Sequence, residues 1–261
     1  MFALERQKRI LELLEENGSV WVSRLSAELG VTEETVRRDL EKLEKQEALM
    51  RTHGGAVPVS QTSYELSFEK RKRTNVDVKQ KLAKAASAHV TAGDTIFLDA
   101  STTTFYMARE LKGLRNLTVI TNSVRVVNEL AGCEGIKLIA AGGMVSDNLS
   151  YVGEIAVKTI EREYFAGKMF FSSKGVTAAA GILESNEFEC ATKAAMLKNS
   201  QEVYYLCDSS KIGKVGFLKL SGFEKIDCFI TDATLDEALS EALAKAHCAV
   251  ETIREDENAC G

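Results

Sequence analysis

Between Leu4 and Asn17 the apolar residues Leu4, Ile10, Leu11, Leu13 and Leu14 recur at helical spacing and Gly18 follows as a stop, which predicts a first helix. A short β-rich step, SVWV, comes next. Ser23 to Leu29 predicts a second helix, Gly30 a turn, and Thr32 the N-cap of a third helix running to about Gln46. Leu25, Leu29, Val31, Val36, Leu40 and Leu43 are spaced to pack this pair against the first helix. LMRTHGGAVPV then holds two β-leaning segments around Gly54 and Gly55, a pair suited to the positive φ angles of a tight hairpin. Three helices and a glycine-tipped hairpin predict a winged helix-turn-helix over residues 1–57.

Pro58 and SQTS break the pattern, and FEKRKRTNVDVKQKLAKAA runs as a charged stretch into a new helix, so residues 58–75 are expected to be a linker. From Thr95 the apolar runs TIFLD, LTVIT, IKLIAA, KMFFSS, VYYLCD, DCFIT and AVETI alternate with helical segments. That alternation predicts a mostly parallel α/β sheet with helices on both faces over residues 76–253. The last residues, 254–261, are expected to form a flexible tail carrying Cys260. The fold class expected is therefore α/β, with an N-terminal winged helix-turn-helix and a larger, mostly parallel domain.

Composition changes the picture in three ways. The 261 residues, 45% hydrophobic with one proline, suffice for a small domain and a larger buried one. No run approaches the roughly 18 apolar residues of a membrane span and the charged start MFALERQKRI is unlike a signal peptide, so no membrane partner and a cytoplasmic location are expected. The six cysteines show no C-x-x-C pair and stand mostly in apolar runs, which predicts small buried thiols, no metal and no cofactor. Net charge is −5, against the usual sign of a nucleic-acid binder. The field that matters at a duplex is local, within about 10 Å at 0.1 M salt, so the placement of arginines decides.

Those arginines lie on the third helix. In a helix-turn-helix the second helix of the pair enters the major groove by its N-terminal part. Thr32 and Thr35 are placed there to hold phosphates, Arg37 and Arg38 to donate two bonds to a guanine edge, and Arg51 and His53 lie on the hairpin. Taken alone, TVRRDLEKLEK is equally a solvated face with i,i+4 charge pairs; its neighbours favour double-stranded DNA. Residues 1–57 carry nine Lys and Arg against eleven Asp and Glu, so one copy binds modestly and a homodimer or homotetramer on repeated half-sites is expected. The run Lys70, Arg71, Lys72, Arg73 reads either as a phosphate contact or as a linker of solvated charge.

In an open parallel sheet, ligands collect at the carboxyl ends of the strands, at helix N-termini. Those ends carry Asp99 with Ser101, Thr102, Thr103 and Thr104, then Thr121, Asn122 and Ser123, then Gly142 and Gly143, then Lys174 and Gly175, then Asp208 and Lys211. The set suits a phosphorylated small molecule. Each member also has a plain structural reading, since the hydroxyl run can N-cap the next helix, as can Asn122 and Ser123, and the glycine pair can be an ordinary turn. A lysine after two separate strands is what caps alone would not require.

TVRRDLEKL, RTHGGAV, LDASTTT, VITNS, AAGG and CDSSKIG together resemble, in this order, the motifs of DeoR-type bacterial transcriptional regulators. The resemblance covers almost the whole chain. It implies a winged helix-turn-helix joined to a sensor domain similar in fold to ribose phosphate isomerases, repressing a sugar-utilisation operon until a phosphorylated sugar binds. It assigns Arg37 and Arg38 to the recognition helix and Asp99, Thr102, Thr103, Asn122 and Lys211 to the effector pocket. Three positions depart from the family pattern: Ser101 and Glu47 stand where glycine is usual, and Lys174 where an acid is common. An isomerase needs a carboxylate base. Lys174 therefore counts against the alternative of a sugar-phosphate isomerase with an appended nucleic-acid-binding domain, while Glu184, Glu187 and Glu189 remain available as bases. No catalytic residue is assigned.

Overall fold

Ala3–Asn17 form the first helix (α1) of the computed structural model, which describes residues 3–17, 19–46, 48–52, 54–57 and 68–253. Gly18, Glu47, His53, Pro58 and the tail from 254 lie outside the described residues. The chain divides into two compact units, Met1–Lys70 and Arg71–Gly261.

In the first unit β1 (Val20–Trp21), α2 (Val22–Leu29), α3 (Glu33–Lys45), β2 (Met50–Arg51) and β3 (Gly55–Val57) follow α1. Gly30 ends α2 at φ 63°, and Thr32 caps α3 by accepting from Thr35 N–H at 3.3 Å. The SVWV step becomes a strand: β3 lies between β1 and β2 in an antiparallel sheet. Gly55 permits that approach, because a Cβ there would stand 1.8 Å from Val20 O. Ile10, Leu13, Leu14, Leu25, Leu29, Val36, Leu40 and Leu43 are buried in one cluster, with Val31 half-buried against it. Leu4 departs from expectation and is 82% exposed. At 100° per residue it lies about 120° from Ile10, and the inward positions of that turn belong to Arg6 and Gln7. Both reach the buried Asp39 of α3.

The second unit opens with the end of α4 (Phe68–Arg73) and continues through α5 (Val76–Ser87), β4 (Thr95–Leu98), α6 (Thr102–Glu110), β5 (Leu117–Thr121), α7 (Val124–Leu130) and β6 (Ile136–Ala140). After the short ladder β7 (Met144–Val145) and β8 (Tyr151–Val152) come α8 (Glu154–Glu163) and β9 (Ala166–Phe171). The excursion β10 (Gly175–Thr177) and β11 (Gly181–Glu184) precedes α9 (Glu187–Lys198) and β12 (Ser200–Cys207). The last elements are β13 (Leu218–Ser221), β14 (Cys228–Thr231), α10 (Glu237–Lys245) and β15 (Ala249–Thr252).

All seven apolar runs expected as strands form one sheet, in the order β15-β14-β12-β9-β4-β5-β6, with every pairing parallel. Strand alternation sends Phe97, Met169, Phe171, Tyr205 and Phe229 to one face, where α8, α9 and α10 cover them. Ile96, Leu98, Phe170, Tyr204, Leu206 and Ile230 go to the other, under α5, α6 and α7. The β7–β8 ladder and the antiparallel sheet β10-β11-β13 were not expected. From β4 the chain winds outward through β5 and β6; it then returns to β9 on the other side of β4 and winds away through β12, β14 and β15. The order therefore reverses between β4 and β9, the position at which doubly wound sheets open a crevice at their carboxyl ends.

Cys207, Cys228 and Cys248 are buried, while Cys133 and Cys190 are half-buried. Burial pushes the Cys228 thiol up to about 11 and those of Cys207 and Cys248 up to about 12, leaving little thiolate at neutral pH.

Candidate functional site

Two surfaces hold the residues with chemistry to offer. On the first unit, Thr32 and Thr35 stand at the entering end of α3, their hydroxyls 3.0 Å apart. Arg37 and Arg38 are exposed on the next turn and pair with Glu33 at 2.9 Å and Glu34 at 3.3 Å. Such solvent-exposed i,i+4 pairs contribute only a few tenths of a kcal/mol each, so either guanidinium can exchange its glutamate for a phosphate or a base edge. Behind them Asp39 is 2% exposed, ion-paired to Arg6 and accepting from Gln7 Nε2 at 3.1 Å, which fixes the rotation of α3 on α1. Arg51 is exposed on β2, its N–H bound to Glu44 Oε1 at 2.9 Å. His53 lies outside the described residues.

On the second unit the centre is Asp99, fully buried just past β4. Its Oδ1 accepts from Ser101 N–H at 3.1 Å and Thr104 Oγ1 at 2.8 Å. Its Oδ2 accepts from Ser172 N–H at 3.2 Å and lies 3.2 Å from Lys193 Nζ. One carboxylate thus joins the loops leaving β4 and β9 across the strand-order reversal. Lys193, on the buried face of α9, also donates to Glu184 Oε1 and, at 2.8 Å, to Ser172 O. Burial alone would push its ammonium down; the facing charges of Glu184, Asp99 and Glu189 outweigh it and hold the pKa above the ordinary lysine range. Lys211 reaches the same place from the 3-10 turn Ser209–Lys211, donating to Ser172 Oγ at 2.5 Å and standing 3.9 Å from Asp208.

The structure brings Asp99, Ser101, Thr104 and Lys211 together through Ser172, and draws in Asn122 through Glu189, whose Oε2 is 3.5 Å from Asn122 Nδ2. Several hydroxyls are already employed: Ser101 caps α6, Ser123 caps α7, and Thr104 is bound to Asp99. Among the residues expected at the site, two buried acceptors are not. Thr103 Oγ1 and Asn122 Oδ1, both on fully buried residues, have no hydrogen-bond partner, an arrangement that costs free energy unless something supplies one. Thr102 lies beside Thr103 on the first turn of α6, where unpaired backbone N–H groups favour an anion.

Gly142 and Gly143 follow β6, two strands from the reversal, at φ 72° and 106°. A Cβ on Gly143 would meet Val152 O at 2.9 Å and the start of α8 at 3.1 Å, so this glycine serves a close approach. Lys174 is half-exposed, its N–H bound to Leu183 O at 3.2 Å. Sequence reasoning did not single out Lys193, Ser172 or Lys79. Lysines on a predicted helix read as solvated, and only the ECATKAAM context, with alanines on both sides, hints that Lys193 faces inward.

Lys79, on α5, is 4% exposed and donates to Thr74 O. Burial, with positive charge from Lys211, Arg71 and Lys214 only partly offset by Asp208, pushes its pKa down to about 8. Asp208 moves opposite to its own burial, held below the usual carboxylate range by Lys211, Ser210, Lys79 and Asn75. Because the unfolded chain keeps Lys79 protonated up to about 10.4, the wild type gains stability as pH rises from 8 towards 10. A Lys79→Met variant lacks that gain. The difference in melting temperature between the two should move in favour of the wild type between pH 7 and pH 9.5; a constant difference would contradict the assignment.

The winged unit and this strand-end cluster coincide with two family matches: the DeoR-like helix-turn-helix domain over residues 6–62 and the DeoR C terminal sensor domain over residues 74–233. The chain belongs to the DeoR family. Among relatives, the uncharacterized HTH-type transcriptional regulator YulB of Bacillus subtilis is 42% identical over 93% of this chain and 94% of that protein. The regulator GolR of Listeria innocua is 34% identical over 92% and 94%. The glycerol-3-phosphate regulon repressor of Escherichia coli K12 is 29% identical over 95% and 98%. Of solved structures, ribose 5-phosphate isomerase A of Methanocaldococcus jannaschii aligns with TM-score 0.40 and 22% identity, covering 54% of this chain and 56% of that one. This DeoR-family protein is thus a transcriptional regulator of the helix-turn-helix type. No helix among the described residues is long and apolar enough to cross a membrane.

Proposed function

We propose that the protein represses a sugar-utilisation operon and that a phosphorylated sugar or related metabolite, bound at the carboxyl edge of the sheet between β4 and β9, sets its operator affinity. The observation that supports this reading is the pair of buried, unpartnered acceptors, Thr103 Oγ1 and Asn122 Oδ1, past the carboxyl ends of β4 and β5, with the α6 N-terminus after β4 and Lys211 after β12 on the same edge of the sheet. In it the effector site comprises Asp99, Ser101, Thr102, Thr103, Thr104, Asn122, Gly142, Gly143, Lys174 and Lys211. The DNA face comprises Thr32, Thr35, Arg37, Arg38, Arg51 and His53. The similarity to a repressor named for a glycerol-3-phosphate regulon fits this ligand class. The protein acts in the cytoplasm as a homodimer or homotetramer, with residues 1–57 on DNA, 58–75 between the two and 76–253 as sensor.

We read the protein as a regulator without catalysis: Glu184 and Asp99, two carboxylates of this buried cluster, are both held by Lys193. The deciding experiment is fluorescence anisotropy of a labelled duplex from upstream of this gene. The bound complex is challenged with pentose and hexose phosphates and their unphosphorylated counterparts, and the same compounds are assayed for isomerisation. Release by one phosphorylated compound, without turnover, is the expected result; tight binding that none of them disturbs would remove the effector assignment. On the DNA side, Arg37→Ala and Arg38→Ala should each weaken operator binding by about 1 to 3 kcal/mol while leaving the melting temperature unchanged. Equal affinity of wild type and both variants would move the interface elsewhere.

A further inference from the structure

The basic run at residues 70–73 is not the solvated linker its composition suggests. Within the second unit, the segment Arg71–Asn75 is tied to the strand-end cluster at every step but one. Arg71 Nη2 donates to Asn148 Oδ1 at 2.8 Å, and Asn148 Nδ2 donates to Glu189 Oε1 at 3.2 Å. The carbonyl of Lys72 accepts from Tyr106 Oη at 3.0 Å, and its ammonium lies 4.6 Å from the centre of the Phe105 ring, both partners on α6. Thr74 O accepts from Lys79 Nζ, and Asn75 Nδ2 donates to Asp208 Oδ1 at 3.3 Å.

Asn75 departs from the usual geometry of a helix cap. It sits at the N-cap of α5 yet makes no side-chain cap bond; its amide nitrogen donates to Asp208, and its φ is +52°, in the left-handed region. Asparagine is among the best N-caps when its backbone is extended and its side-chain oxygen faces its own helix. The held conformation therefore competes with a capped one, and the Asp208 contact selects between them. Asp208 is itself balanced against Lys211 and Lys79, the cations that an incoming phosphate would attract.

We propose that Arg71–Asn75 is a strap, held beside the effector site in the ligand-free protein and released when an anionic effector draws Lys79 and Lys211 away from Thr74 O and Asp208. Release frees Asn75 to cap α5 and changes the path of the chain that leads to the helix-turn-helix, lowering operator affinity. The coupling rests on the effector site proposed above. The holding contacts of Tyr106 and Asn148 lie outside that site and test the strap separately.

Hydrogen exchange at residues 71–75, trypsin cleavage after Arg71, Lys72 and Arg73, and operator affinity are measured on the full-length protein, with and without the pentose and hexose phosphates. In the wild type, a compound that raises the melting temperature should speed exchange and cleavage of the strap and lower operator affinity by about 5-fold or more. In Tyr106→Phe, which removes one hydroxyl, and in Asn148→Ala, the ligand-free strap should already exchange and cleave faster. Their operator affinity should be reduced, and the compound should still bind but add little. A strap as protected as in the wild type, with unchanged operator affinity, in both folded variants overturns the proposal. If no compound binds the wild type, the effector reading fails, and the ligand-free arms still decide the strap.

Discussion

Replacing Lys193 by alanine should destabilise the sensor unit by about 4 kcal/mol, the cost of leaving buried charge without its counterion. Lys193 is the cation that Asp99, Glu184 and Glu189 share, and Asp99 and Glu184 are 0% and 2% exposed. Without it the carboxylates must take up protons on folding, so the variant should recover part of its stability as pH falls. In the wild type the lysine's contribution stays constant over that range. A lysine pKa raised by folding contributes fully below about 10.4, and that contribution is lost as pH rises through the folded value. Urea titration followed by circular dichroism at pH 5 and pH 8 checks both statements, and a loss below about 1 kcal/mol at pH 8 would show that the cluster does not need its lysine. Pairing Lys193→Met with Glu184→Gln should cost less than the sum of the single changes, because each removes the partner the other leaves unpaired.

The second large effect lies at Asp39. Its substitution by alanine removes the acceptor of Arg6 and of Gln7 from a site that is 2% exposed, and should cost the first unit about 3 kcal/mol. The chain has one tryptophan, Trp21, on β1 of that unit, so the fluorescence transition reads the winged helix without the sensor. Asp39→Asn, which keeps an acceptor for Gln7, should lie between the two. Operator binding should weaken in parallel, because Asp39 sets the rotation of the helix that presents Arg37 and Arg38. An unchanged tryptophan midpoint in Asp39→Ala would show the ion pair to be idle.

Both residues illustrate what a sequence conceals. Local signals were legible wherever one residue decides the backbone: Thr32 caps α3, Gly30 turns left-handed, and seven apolar runs become seven parallel strands. The strand-end location of the polar cluster followed from that alternation. Asp39 and Lys193 were not legible, because a charged residue on a helix is ordinarily solvated and only a partner distant in sequence, Arg6 or Asp99, reverses the expectation. The ladders β7–β8 and β10–β11 were missed for a different reason: with two to four residues per strand, they carry too little periodicity to read. Leu4 misled in the other direction, since its hydrophobicity suggested a face that geometry assigns to Arg6 and Gln7.

The reversal of strand order also determines how the protein is made. β4 finds one neighbour, β5, soon after it is synthesised, but its other edge pairs Ile96 with Lys168 and must wait for β9. At 5 to 20 residues per second the intervening chain takes on the order of 4 to 14 s to appear. The winged helix, complete by then and closed on its own local contacts, folds first, while the apolar edge Ile96-Phe97-Leu98 stays open at the ribosome. Nascent chains stalled with β4 outside the ribosome and β9 still within it should therefore bind chaperone through β4, and those in which β9 has emerged should let it go.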